Sequence, residues 1–345
     1  MPLETPRWKQ RLADNRQARN WNLTSLALTL PLLLNGYFYY GGQALRTAAI
    51  SVAAAVLTEL IAGRLILRRT TLDDWNAVVV GLWIACMLPA FIEPVNTTPW
   101  HAAAGSIFAI LVVKIPFGGT THVPFSPAAA GFAFLTVCFP HRVFAFVPSE
   151  IAPPVQGDSL ALLLQQGRNV IDNTRISAIL LGQTLGPMGT GGILVIAAAL
   201  LAMLLIKNRR SYALASVGFI FTAAALAFFF PRVFIAPELG FAANLRLASV
   251  GMELFSGSLL FAAVFLLPEP SIMPGRWFTR LGMGAIAGAV TILLRNLGSF
   301  EENVAFSILL SNAILPLLYR IQAEIYQQKE FRQMKQAEET EVPHA

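Results

Sequence analysis

Charge is scarce in this sequence. Only 13% of its 345 residues are Asp, Glu, Lys or Arg, while 55% are hydrophobic; ordinary soluble chains carry roughly 25% charge. So few charges cannot cover a water-soluble globule of this length, and the surplus apolar material must face hydrocarbon. Cysteine is nearly missing. Cys86 and Cys138 both sit in apolar runs, which excludes a disulfide framework and leaves too few thiolates for an iron–sulfur cluster or structural zinc from this chain alone. The first apolar run ends in Tyr37-Phe38-Tyr39-Tyr40-Gly41-Gly42 without a small-residue cleavage signature, so we expect an uncleaved first span and no signal peptide. Walker loops, GxGxxG turns, nucleophile triads and metal-ligand spacings are also missing, and nothing points to soluble-enzyme chemistry.

What the sequence has is long apolar runs. A membrane-crossing helix needs about 20 mainly apolar residues. Runs bounded by charges or by Pro and Gly lie near Trp21–Tyr40, Ala44–Leu67, Trp75–Ile92, Trp100–Ile115, Pro127–Val147, Gly191–Ile206, Tyr212–Phe230, Leu247–Leu267, Phe278–Leu294 and Val304–Tyr319. The expected fold is therefore an all-α polytopic membrane protein of about ten transmembrane helices. An even count puts both termini on one side. With that side cytoplasmic, eighteen of the 25 lysines and arginines fall inside, as the positive-inside rule requires. The net charge of +6 then reports topology and leaves no patch that calls for nucleic acid.

The chain also repeats itself weakly. Leu88-Pro89, Glu93-Pro94, Trp100, Gly105, Lys114, Phe117-Gly118 and Phe125-Ser126 are matched by Leu267-Pro268, Glu269-Pro270, Trp277, Gly282, Arg295, Leu297-Gly298 and Phe306-Ser307. The first copy starts outside and the second inside, so the halves are expected to be inverted, five helices each. Inverted repeats place their sites near the midplane where the halves meet. The organisation expected is an inner segment over 1–20, a first five-helix repeat over 21–147 and an outer loop over 148–190. A second repeat over 191–320 and a cytoplasmic tail over 321–345 complete it.

Two loops concentrate unusual residues. In Phe117-Gly118-Gly119-Thr120-Thr121-His122-Val123-Pro124-Phe125-Ser126-Pro127 the paired glycines permit positive φ and close approach. The prolines end helices and free backbone groups. The stretch reads either as a binding loop for a planar or anionic ligand or as a tight cytoplasmic turn. Its counterpart, Pro268–Gly275, contains Glu269, either a site carboxylate or a helix-end charge. Glu59 and Glu253 lie within spans, where ionisable residues mark functional candidates. Glu59 has Arg64 one turn on, whereas Glu253 has no local partner and is the better candidate for an ion path. None of His101, His122 and His141 is central in a span, which disfavours a bis-histidine haem.

Asp74-Trp75-Asn76-Ala77 through Leu88-Pro89, Lys114 with Phe117-Gly118-Gly119, Pro124-Phe125-Ser126-Pro127-Ala128, Gly182 to Gly192, Ser256-Gly257 and Val304-Ala305-Phe306-Ser307 together resemble the RnfD/NqrB family. That resemblance implies a bacterial inner-membrane subunit that relays single electrons in an ion-translocating oxidoreductase complex, with other membrane subunits and lipid as partners. It further implies FMN joined by a phosphoester in the outer loop, where Gly157 and Ser159 match the attachment motif and a serine hydroxyl stands in for threonine. We further expect the two inner loops to shape a site for a second, non-covalent flavin, with Gly118, Gly119, Phe125, Pro127 and Glu269 as its binding residues. The chain departs from the family pattern at Asp158, beside the attachment point, and at Pro153. It departs again at Ser126, where the family has Asn, and at Pro268-Glu269-Pro270, where it has Thr-Asp-Pro. A solute or ion transporter on the same scaffold and a cofactor-free assembly subunit are the alternatives.

Overall fold

A computed structural model describes residues 7–68, 74–90, 99–120, 123–146, 148, 158–167, 176–232, 243–298 and 300–341. Among these, all regular structure is helical. Helix α1 spans Arg7–Tyr40, α2 Gly42–Ala62, α3 Asn76–Met87, α4 Trp100–Phe108, α5 Pro127–Cys138 and α6 Pro140–Val143. Two short helices follow, α7 (Leu160–Gln165) and α8 (Ile176–Leu181). The second set comprises α9 (Ile193–Leu205), α10 (Lys207–Phe229), α11 (Ala243–Phe255), α12 (Leu259–Phe261), α13 (Trp277–Leu297) and α14 (Val304–Glu341).

Each apolar run of the sequence contributes at least one of these helices, two runs being divided between helices (α5 with α6, α11 with α12), and the helices differ in length. Four helical stretches are long and apolar enough to cross a membrane alone: Gly42–Ile66, Lys207–Phe229, Trp277–Leu297 and Val304–Glu324. A fifth is added if Asn244–Phe255 and Leu259–Leu266, bent by 67°, form one broken span. Helices α3, α5 and α9, and α4 with its continuation to Lys114, are shorter. Proline or glycine cuts them before 18 residues are reached, as at Leu88-Pro89 after α3. Helix α1 is long but carries Asn22, Thr24, Ser25, Thr29 and Asn35, which dilute its apolar content. Phe221, Leu205 and Leu297 are 75%, 76% and 77% exposed; such outward apolar side chains suit hydrocarbon and not water.

Packing runs mainly within the two sets, α2 against α3 and α4, and α10 against α9, α11 and α13, while α14 crosses to α5. Lipid tails are as apolar as leucine side chains, so helices in a membrane associate by close backbone approach through small residues. In α13 a Cβ added to Gly284 or Gly288 would run into the carbonyls of Ala215 and Phe219 on α10. In the first set, a Cβ on Gly131 of α5 would lie 2.6 Å from the Gly105 carbonyl of α4.

Three helices finish in a wider, π-type turn: α2 over Gly63–Leu67, α4 over Ala109–Lys114 and α12 over Ala262–Leu266. Such turns recur at functional sites, and here the last two lead into the two loops that stood out in the sequence.

Candidate functional site

Glu269 heads the turn Pro270–Ile272 and is 4% exposed. Neither of its carboxylate oxygens has a hydrogen-bond partner among the described residues, and the same holds for Asn76 Oδ1, Ser126 Oγ and Ser271 Oγ. These groups belong together. Burial pushes the Glu269 carboxyl up to about 7, while Ser126, Lys114, Ser271 and Asn76 lie near enough to draw it back toward the charged form. Unpaired buried polar atoms cost on the order of 1–3 kcal/mol each, so four such residues gathered at one place make this the candidate site.

Each member is placed by a local feature. Asn76 opens α3, and its backbone N–H donates to Asp74 Oδ1 at 2.9 Å. Between them Trp75 takes a left-handed backbone, φ +60°, which is strained for a bulky residue and typical of functional turns. Ser126 precedes Pro127, the first residue of α5, yet its hydroxyl caps no backbone N–H. Its own N–H donates to the Asn312 side-chain oxygen of α14 at 3.0 Å, in the amide orientation that also lets Asn312 donate to the Ile308 carbonyl. The 268–276 loop is fastened by Arg280, which donates to the Pro274 carbonyl at 2.6 Å and to Ser211 Oγ on α10.

Lys114 lies at the end of the π turn, fully buried. Its ammonium donates to Glu59 Oε1 at 2.6 Å and stands 3.7 Å from Asp74 Oδ1. Thr120 donates its hydroxyl to Asp74 Oδ2. Gly118 and Gly119 have φ of +93° and +107°, and Gly119 N–H closes back onto the Lys114 carbonyl at 3.2 Å. The paired glycines thus turn the chain over the end of α4 and deliver Thr120 to Asp74. Phe125 is half-buried and Pro127 buried beside Ser126. The local Glu59–Arg64 pairing considered from sequence is replaced by a long-range one, Glu59 to Lys114.

A second polar cluster occupies the second set. Arg295 of α13 donates to Glu253 Oε1 at 3.1 Å, to Ser256 Oγ at 2.8 Å and to the carbonyls of Glu253 and Ser256, and approaches Glu302 at 3.8 Å. Arg232 forks onto both oxygens of Glu253, and Glu302 accepts from Ser258 N and Oγ. Burial lowers the Arg232 pKa and raises that of Glu302. Gly257 has φ +62°, and a Cβ there would overlap the Glu302 carboxylate. Glu253, the sequence's candidate for an ion path, is corrected by this geometry: two arginines neutralise it, and both were too distant in sequence to be read as partners. Sequence patterning also missed Asp74, Asn76 and Ser271 as individual site residues. The signal for Asp74 and Asn76 was a polar pair flanking a tryptophan just before an apolar run.

Ser159 lies elsewhere, beside Glu301 and Gln165 near the start of α14 in the second set. Its hydroxyl accepts from Leu162 N at 3.1 Å as the cap of α7 and donates to Glu301 Oε2 at 2.7 Å. Burial pushes the Glu301 carboxyl up to about 7, with Glu302 and Asp158 adding to the rise. A phosphoester on this oxygen would place negative charge beside carboxyl groups, so the residues present do not fit a phosphate-linked flavin. Gly157 and His122 lie outside the described residues. No cluster of three or more His, Cys, Asp or Glu side chains suited to a metal occurs among the described residues.

Comparison with known proteins gives one consistent answer. The model of the NQR2, RnfD, RnfE family matches residues 9–327. The D component of the ion-translocating oxidoreductase complex of Klebsiella pneumoniae (strain 342) is 27% identical over 343 residues, covering 91% of this chain and 96% of that protein. Its counterpart in Escherichia coli (strain SMS-3-5 / SECEC) is 25% identical over 341 residues, covering 91% and 95%. That of Salmonella heidelberg (strain SL476) is 26% identical over 348 residues, with the same coverage.

Proposed function

The chain belongs to the NQR2, RnfD, RnfE family, and from that membership we propose that it is a flavin-linked electron-relay subunit of an ion-translocating oxidoreductase complex in the bacterial inner membrane. In this reading the shorter helices cross the bilayer with the longer ones, giving ten spans in two inverted halves with both termini cytoplasmic. Other membrane subunits of the complex supply the donor and acceptor.

The observation that carries the proposal is the group of unpaired polar side chains around Glu269. Asn76 Oδ1 and the Glu269 carboxylate accept hydrogen bonds, and the Ser126 and Ser271 hydroxyls both donate and accept. That mixture fits the rim of a flavin ring, whose edge alternates carbonyl oxygens, ring nitrogens and an N–H. Bound there without a covalent link, a flavin would supply a carrier that takes up and passes on electrons singly. The protein's part is placement and electrostatics. Asn76, Ser126, Ser271 and Glu269 orient the ring edge, and the Gly118–Pro127 and Pro268–Gly275 loops keep water from it. Lys114, held by Glu59 and Asp74, supplies a fixed positive charge near the electrons' stopping place, where burial makes such a charge count for more than in water.

The test is an absorption spectrum of the purified protein before and after Glu269→Ala. Flavin bands that are lost or weakened at least tenfold in the variant support the relay. A colourless wild-type protein that takes up no added riboflavin or FMN excludes it.

A further inference from the structure

We infer that Ser159 is a structural clasp and not an attachment point for flavin: its hydroxyl locks α7 onto the outer turn of the second half. Both hydrogen-bonding capacities of the hydroxyl are in use, toward Leu162 N and toward Glu301. The residue is 6% exposed. A transferase must reach the nucleophilic oxygen, and at 6% exposure that oxygen is covered by the elements packed around it.

The surroundings hold the clasp shut. Leu160, Leu163 and Leu164 of α7 form a separate apolar cluster with Ile179 and Met252, against which Phe255 packs. Gln165 Nε2 donates to the Gly298 carbonyl at 3.2 Å. Freeing Ser159 therefore means lifting α7 from α11 and from the turn between α13 and α14. Even then, an ester carrying negative charge would meet the carboxyl groups of Glu301, whose pKa burial already raises, and of Asp158, which adds to that rise. Asp158, which breaks the family's attachment pattern, is thus of a piece with the structure: the position has exchanged covalent chemistry for a contact that joins a short outer helix to the membrane bundle.

The inference is independent of the inner-site reading, because a flavin held near Glu269 leaves the protein on denaturation and a tethered one does not. The experiment treats the full-length protein with a flavin transferase and FAD, a reaction that would form a serine O–P bond and release AMP and the serine proton. A control protein carrying the family's threonine motif verifies the enzyme. After denaturation the 158–167 peptide is expected to have its unmodified mass and no flavin fluorescence. Thermal midpoints of Ser159→Ala, Glu301→Ala and the double variant complete the test. Each single change is expected to lower the midpoint by several degrees, the double no further than the larger single, and Ser159→Thr is expected to restore it. A flavin adduct on Ser159, or fully additive midpoints, overturns the clasp. Native wild-type protein that binds no flavin before denaturation leaves the clasp standing and removes only the inner site.

Discussion

Lys114 stands 3.7 Å from Asp74, and the second half holds Arg295 3.1 Å from Glu253. Asp74 precedes Pro89 by fifteen residues, and Glu253 precedes Pro268 by fifteen. Each pair thus joins an acid fifteen residues before a proline to a base farther along the chain, Lys114 at the end of α4 and Arg295 on α13. The first sits beside the unpaired groups around Glu269; in the second, Arg295 Nε is unpaired among the described residues, while Arg232, Ser256 and Ser258 hold the other groups.

Removing the ammonium of Lys114 would take away the cation that Glu59 and Asp74 share. Breaking a buried pair from one side typically costs about 3–5 kcal/mol. Lys114→Ala is expected to lower the thermal midpoint markedly in detergent, and Glu59→Gln/Lys114→Met to recover part of the loss. A Lys114→Ala protein as stable as wild type contradicts the buried-pair geometry.

Gly257→Ala would need both a left-handed alanine and the volume held by Glu302. The strained backbone alone costs about 1–3 kcal/mol. The variant should lose more than this, since displacing Glu302 also disturbs Arg295. Measured against Gly275→Ala, where open space surrounds the position, the loss should be several-fold larger.

Stability should depend on pH through Glu269. Its carboxyl rises from 4.5 to about 7 in the folded protein, so between those values the native state keeps a proton that the unfolded chain gives up. Stability therefore falls as pH rises through that window and is level above it, by on the order of 3 kcal/mol at most. Glu301 and Glu302 shift in the same direction, so Glu269→Gln should flatten only part of the profile. An identical slope in thermal midpoint from pH 5 to 7.5 with and without the substitution would show that Glu269 is not the titrating group.

A cysteine placed at Gly167, the turn after α7, is expected to react with a membrane-impermeant maleimide added to intact spheroplasts. A cysteine at Gly118 should react only after the membrane is opened. Reversed labelling would put the outer loop in the cytosol and invert the proposed topology.

Helices and breaks were readable in the sequence because hydrocarbon demands long apolar runs and proline and glycine interrupt them. The Gly118-Gly119 turn was readable for the same reason, since positive φ has few other providers. Glu269 stood out as an acid against an apolar run. Its companions did not, because Asn76 and Ser271 acquire meaning only when α3 and the 270–272 turn are brought to one spot. Glu253 shows the opposite failure: lacking a neighbour in sequence, it gained Arg232 and Arg295 from 21 and 42 residues away. Ser159 matched a motif by type and spacing, while the contact with Glu301, 142 residues on, was invisible to pattern.

Helix α14 runs unbroken from Val304 to Glu341 with Pro316 inside it. Proline has no N–H to offer the carbonyl four residues earlier, which here belongs to Asn312, the residue whose amide holds Ser126. The rod thus contains its one soft joint at the turn that touches the open cluster. The arm before that joint grips α5 through Asn312 and Ser126.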